Sequence, residues 1–171
     1  MKIKIRRATP SDAKEIATIH VETWKDAYKG LIPNDYLQSL SVADKAKKWH
    51  EMLSDENDQT IYLVGLLNDE ISGWASLCKC RDEDTKENWG ELGGIYIHPS
   101  AQNKGLGSIL MKEGLSILKN DGYTQATLWV LTTNISTREF YEAKGWRLEG
   151  KTKIDPRDGF ELHEIRYITD L

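Results

Sequence analysis

Apolar and polar positions along the chain change period several times, and each change marks an element. Residues 2–8 alternate charge with isoleucine, the period-two pattern of a half-buried strand. Thr9-Pro10-Ser11-Asp12 then opens a helix. Thr9 can cap it, Pro10 suits its first turn, and Asp12 suits the positive end of its dipole. Ala13, Ile16, Ala17, His20, Trp24 and Ala27 keep helical spacing until Gly30 stops the run. Further helices are predicted over 34–40 and 43–53, followed by a polar loop at 54–58. Strands at 61–67 and 71–80 flank Asn68-Asp69 and read as an antiparallel hairpin. After a charged loop at 81–88 come a strand at 91–97, a helix at 106–120 closed by Asp121-Gly122, and a buried-type strand at 126–131. A short helix at 134–144 ends at Gly145, and strands at 146–152 and 160–168 flank a turn at 156–159. Strands and helices alternate only in the second half, so the pattern predicts a mixed sheet with helices on both faces.

Composition narrows the possible partners. A net charge of −4 argues against nucleic acid and anionic membranes as partners. No apolar run approaches the roughly 20 residues of a membrane span, and the opening alternation is not that of a secretory signal. Cys78 and Cys80 lie two apart on a strand, which is neither a redox pair nor half of a zinc site. They are expected as free thiols in a reducing cytoplasm. His20, His50, His98 and His163 show no metal-binding spacing.

Candidate chemistry is concentrated at Gln102-Asn103-Lys104-Gly105-Leu106-Gly107, between a predicted strand and a predicted helix. Glycines let the backbone turn and approach a ligand, and the helix start offers free N–H groups to an anion. Gly107 is followed by Ser108 with no lysine, so this is not a Walker A loop. Leu110 stands where a dinucleotide fingerprint needs a third small residue. Gly93-Gly94 inside the preceding strand predicts a bulge or a close approach.

Gln-x-x-Gly-x-Gly resembles the acetyl-CoA loop of the GNAT-type N-acetyltransferases. Ile5 to Thr9 with Asp12 and Ala13 resembles that family's start, and Ile95-Tyr96-Ile97-His98-Pro99 its central strand and turn. Asn134 to Trp146 resembles its second motif, with Thr137 in place of the common alanine and Trp146 in place of the common phenylalanine. The resemblance runs over nearly the whole chain. It implies residues 1–171 as a single N-acetyltransferase domain of α/β (α+β) class. The implied sheet is mixed, mostly antiparallel and of about seven strands. The implied activity is transfer of acetyl from acetyl-CoA to a primary amine by direct attack in a ternary complex, without a metal. A non-catalytic acyl-CoA sensor of the same fold is the alternative. The acceptor would be a small-molecule or peptide amine, and a homodimer is compatible with this reading.

Site roles follow from the same resemblance. The backbone from Asn103 through Lys104, Gly105, Leu106 and Gly107 to Ser108 would hold the CoA pyrophosphate, with Gln102 beside it. Ile95, Tyr96 and Ile97 would lie along the pantetheine, which Asn134 also contacts. Tyr141 would protonate the departing thiolate. Glu91 would take the amine's proton, directly or through water; from composition alone it is an exposed strand-end charge. Trp24, Tyr28 and Tyr36 would wall the acceptor site, and Glu22 and Asp26 share a helix with Trp24.

Overall fold

The structure, a computed structural model, describes residues 1–171. Strands β1 (Ile3–Arg7), β2 (Ile61–Leu67), β3 (Glu70–Lys79), β4 (Trp89–Ile97), β5 (Gln125–Leu131), β6 (Arg147–Arg157) and β7 (Phe160–Asp170) form one sheet in the order β1-β2-β3-β4-β5-β7-β6. Every neighbouring pair is antiparallel except β4 with β5. The predicted mixed, mostly antiparallel seven-stranded sheet is therefore present.

Helices cover both faces. On one face α1 (Ala13–Ala27) and α3 (Val42–Ser54) bury Ile16, Ala17 and Trp49 against Val64 and Trp74 of the sheet. On the other, α4 (Leu106–Asn120) and α5 (Ile135–Ala143) pack Leu110, Leu118 and Tyr141 against Leu77, Leu92, Leu128 and Tyr167. Leu63 and Val64, like Leu128 and Trp129, send their side chains to opposite faces because successive strand residues alternate. The short α2 (Asn34–Ser39) joins Leu37 to Ile32, Leu131 and Leu162 in a smaller cluster.

The chain's start differs from a simple capped helix. Pro10–Asp12 forms a 3₁₀ turn, and Asp12 accepts from the Thr9 backbone N–H at 2.8 Å and from the two terminal Arg6 guanidinium nitrogens at 2.7 and 2.9 Å. The Arg6 ion pair holds the Asp12 carboxyl below the usual carboxylate range. Asn68 and Asp69 turn the β2–β3 hairpin with positive φ of 51° and 70°, the conformation a two-residue hairpin needs.

The largest departure is β6. The sequence pattern ends this strand at 152 and turns the chain at 156–159, but pairing continues to Arg157, with Pro156 opposite Glu161. β6 is the sheet's edge, where a proline's missing N–H can face solvent. A register shift between Leu148 and Thr152 hides the strand's continuity from its local alternation. No helix is long and apolar enough to cross a membrane.

Candidate active site

β4 and β5 pair only through Trp89, Gly90 and Glu91, opposite Gln125, Ala126 and Thr127. Beyond Glu91 they part. Parallel strands joined over so short a stretch leave β4 with an unpaired edge inside the sheet. Which backbone groups face that gap follows from the antiparallel pairing with β3. His98 N–H donates to the Ser72 carbonyl at 2.8 Å. Hydrogen-bonded and non-bonded pairs alternate along such a ladder. Tyr96 and Gly94 therefore exchange bonds with Trp74 and Ser76, while Ile95 and Ile97 turn their N–H and C=O groups away from β3 and into the gap. Gly93 is the extra residue of a bulge between Gly94↔Ser76 and Leu92↔Leu77. A Cβ on Gly93 would meet the Ser76 hydroxyl at 2.8 Å, so the bulge that aims this edge has no room for a side chain.

The glycine loop closes the far end of the gap. Asn103 and Gly105 both adopt positive φ, 58° and 80°. The first helical bond of α4 runs from Ile109 N–H to the Gly105 carbonyl, so the N–H groups of Leu106, Gly107 and Ser108 have no helical acceptor. A Cβ on Gly107 would lie 3.4 Å from Ile97 and 3.6 Å from Phe140. That position binds loop, β4 and α5 into one close contact. The loop thus offers an anion bare N–H groups, a positive dipole end and no obstructing side chain. Gln102 and Lys104 are exposed; Gln102 donates to the Ile97 carbonyl at 3.4 Å and Lys104 to that of Ser100 at 2.8 Å. Thr23 of α1 donates to the same Ile97 carbonyl at 3.3 Å.

α5 brings Tyr141 and Asn134 to the site. Asn134 caps the helix, its side-chain oxygen accepting from Thr137 N–H, while its amide nitrogen bonds to nothing in the chain. Tyr141 is 6% exposed beside Phe140 and Trp146, and its hydroxyl has no partner within the chain. Burial, reinforced by Tyr96, pushes that hydroxyl well above the ordinary tyrosine range, so it stays protonated.

Glu91 is not the exposed charge its composition suggests: it is 3% exposed. It is on the α1 face of β4, where the loop after β3 folds back over it. Arg81 binds it three times, from the backbone N–H at 3.1 Å, Nε at 3.3 Å and Nη2 at 2.7 Å. A carboxylate has roughly four lone-pair sites, so one on Oε1 stays free. Cys78, opposite Glu91 in the β3–β4 ladder, has its thiol pushed up to about 11 by burial and then by Glu91. It is a poor nucleophile in that state.

The aromatic residues expected to wall the acceptor site come together in the structure. Trp24 meets Tyr28 edge-on at 4.8 Å, and Tyr36 meets Phe160 at 4.8 Å. All pack on the Ile32–Leu37–Leu131–Leu162 cluster. Tyr96 joins this wall rather than the gap. Its backbone pairs with Trp74, and strand alternation sends its ring to the α1 face, stacked on His20 at 5.8 Å. Its hydroxyl lies beside Tyr28 and Trp24, and burial raises both tyrosine hydroxyls. Glu22 and Asp26 are exposed, away from the wall.

Two side chains here escaped the sequence reading. Glu164 of β7 is half-buried near Tyr28 and Tyr96, and burial pushes its carboxyl above the usual range. Trp129 of β5 stands two residues past the last β4–β5 pair. The available signal was the strand 160–168, whose inward positions Leu162, Glu164, Arg166 and Ile168 include two charges. No cluster of His, Cys, Asp and Glu side chains is arranged to hold a metal ion.

Comparison with known proteins gives the family and the fold. The model of the acetyltransferase (GNAT) family matches residues 18–146. The chain is 32% identical over 144 residues to the N-acetyltransferase YuaI of Bacillus subtilis, covering 82% of this chain and 78% of the relative. It is 26% identical over 152 residues to the spermidine N(1)-acetyltransferase of Thermoplasma acidophilum, covering 87% and 91%. The crystal structure of a PaiA N-acetyltransferase from Thermoplasma acidophilum, in complex with coenzyme A, superposes over 100% of both chains with a TM-score of 0.74 at 22% identity.

Proposed function

The chain belongs to the acetyltransferase (GNAT) family, and from that premise we propose that it transfers acetyl from acetyl-CoA to a primary amine by direct attack in a ternary complex. Residues 1–171 serve as one catalytic domain. The observation that carries this reading is the gap opened where β4 leaves β5, with the bare N–H groups of Leu106, Gly107 and Ser108 at its end. The two fit the two ends of one ligand: an extended pantetheine arm and a pyrophosphate. Ile95, Ile97 and the Asn134 amide would hold the arm, and the backbone of residues 103–108 the pyrophosphate. Acetyl-CoA supplies an activated thioester carbonyl.

The chain's own groups then divide the work. Ile95 N–H faces the gap and stabilises negative charge developing on the acetyl oxygen. An alkylammonium must lose a proton before it attacks, and the free lone-pair site of Glu91 Oε1 takes that proton through water. Arg81 holds Glu91 fixed through its three hydrogen bonds. Tyr141, held protonated by burial, gives its proton to the departing sulfur. Trp24, Tyr28, Tyr36 and Tyr96 exclude water around the acceptor. The free thiols of Cys78 and Cys80 suit a reducing compartment, and we place the enzyme in the cytoplasm.

A thiol-release assay with acetyl-CoA against a panel of primary amines tests the proposal. Amine-dependent release with a matching acetylated product is expected. Stabilisation by CoA with silence across the panel would overturn catalysis in favour of a sensor.

A further inference from the structure

We propose that Trp129 and Glu164 form an ammonium-binding subsite of the acceptor pocket, filled in the free enzyme by the chain's own Lys153, and that the acceptor carries a second cationic nitrogen besides the one acetylated. The inference rests on the N-acetyltransferase reading above. Lys153 Nζ lies 4.2 Å above the centre of the Trp129 ring and 3.7 Å from Glu164 Oε2. An aromatic face and a carboxylate on one ammonium are the contacts that recognise an alkylammonium ligand. The structure therefore displays the subsite with a cation in place.

The position joins it to the reaction. β5 separates from β4 after Thr127, so Trp129 stands at the mouth of the gap. It shares the α1 face with Leu131, which packs in one cluster with Tyr28 and Tyr36. Glu164 pairs across from Leu131 and reaches the neighbourhood of the Tyr28 and Tyr96 hydroxyls. The wall of the acceptor site thus continues into the subsite.

The neighbouring cation is not available for exchange. Arg166, 5.6 Å from the Trp129 ring, is 2% exposed and bound by Asp82, Asp84 and Glu149. Lys153 differs: its side chain is 43% exposed and sits on the edge strand β6, so it can swing into solvent when another cation arrives. Glu164, 19% exposed, is the anion left behind. A nitrogen resting there remains charged, while the attacking nitrogen must be neutral. One substrate satisfies both conditions only by carrying two nitrogens.

The test compares 1,4-diaminobutane with butylamine, by calorimetric binding and by turnover with acetyl-CoA. The diamine is expected to bind about tenfold more tightly, the worth of one well-placed ammonium contact. Glu164→Gln should erase that preference, bringing the diamine down to the affinity of butylamine in the same variant. Lys153→Ala should strengthen diamine binding, because it removes the internal competitor. Equal binding of the two amines, or of neither, would overturn the subsite, as would weaker diamine binding in Lys153→Ala. If both amines are acetylated with equal kcat/KM, the subsite falls and the transferase reading stands. If the diamine binds in a Glu164-dependent way but neither amine is acetylated, the subsite stands and the transferase reading falls.

Discussion

At the scale of single residues, the site depends on groups whose surroundings hold them in one protonation state. Tyr141 is a buried phenol without a partner in the chain, so its proton is both retained and undelivered. Tyr141→Phe removes only the hydroxyl. Acetyl-CoA binding should survive, and turnover should fall about 10²–10⁴-fold, the usual worth of a general acid. Unchanged turnover would mean that the sulfur takes its proton from water. Glu91 makes a different demand, because Arg81 occupies most of its oxygen surface. If the remaining site on Oε1 receives the amine's proton, Glu91→Gln should slow the reaction most at low pH, where the substrate is ammonium. The defect should shrink as pH nears the amine's own pKa, since a neutral amine needs no base. A pH-independent defect in kcat/KM would assign Glu91 and Arg81 to positioning instead.

Elements place these residues, and the glycine loop shows how. Gly105 needs positive φ, which a β-branched side chain resists, whereas at Gly107 a Cβ alone would already touch Ile97 and Phe140, so the two further methyls of valine would press on them. Gly105→Val and Gly107→Val should each abolish the rise in melting temperature that CoA produces, for these separate reasons, while unliganded protein stays folded. A normal CoA shift in both variants would remove the loop from the binding site. This loop was legible in the sequence because its signals are local: two glycines, a preceding strand and a following helical period. The Asn68-Asp69 hairpin and the Gly93 bulge were legible for the same reason. What escaped depends on partners far along the chain. Glu91 could not be seen as buried without Arg81 folding back from the next loop. Tyr96 could be assigned to the correct stretch but not to a face, because only pairing with β3 sets which residues face the gap. The full length of β6 was hidden by its register shift, and with it went the contact of Lys153 with Trp129.

Over the whole molecule, the gap that suits catalysis also weakens the sheet, and the chain compensates from outside it. β4 and β5 share only a short ladder, but Arg166 of β7 also grips Asp82 and Asp84 in the loop after β3, bridging the two halves. On the other side His20 helps join α1, α3, β3 and β4, surrounded by Trp24, Trp49, Trp74 and the stacked ring of Tyr96. Its Nδ1 accepts from Trp49 Nε1 at 3.4 Å, a role that only the neutral ring can fill. Burial, and secondly the charge of Lys45, lower its pKa from 6.5 to about 4. The unfolded chain therefore takes up a proton at a pH where the folded protein refuses it. His20 leaves stability intact above about pH 6.5, erodes it as pH falls toward 4, and stops contributing further loss below that. The full loss is about 3 kcal/mol at most. Glu164 acts in the opposite sense, since burial favours its protonated form, so the comparison must isolate His20. His20→Gln retains an acceptor for Trp49 and cannot titrate. It should be less stable than the parent at pH 7, yet lose less melting temperature between pH 7 and pH 4.5, by roughly 5–10 °C. Parallel losses in the two proteins would show that His20 is not the group responsible. Because the folded ring of His20 stays neutral down to about pH 4, its stack on Tyr96 does not change over that range, and the KM for the amine should vary with pH alike in the parent and in His20→Gln.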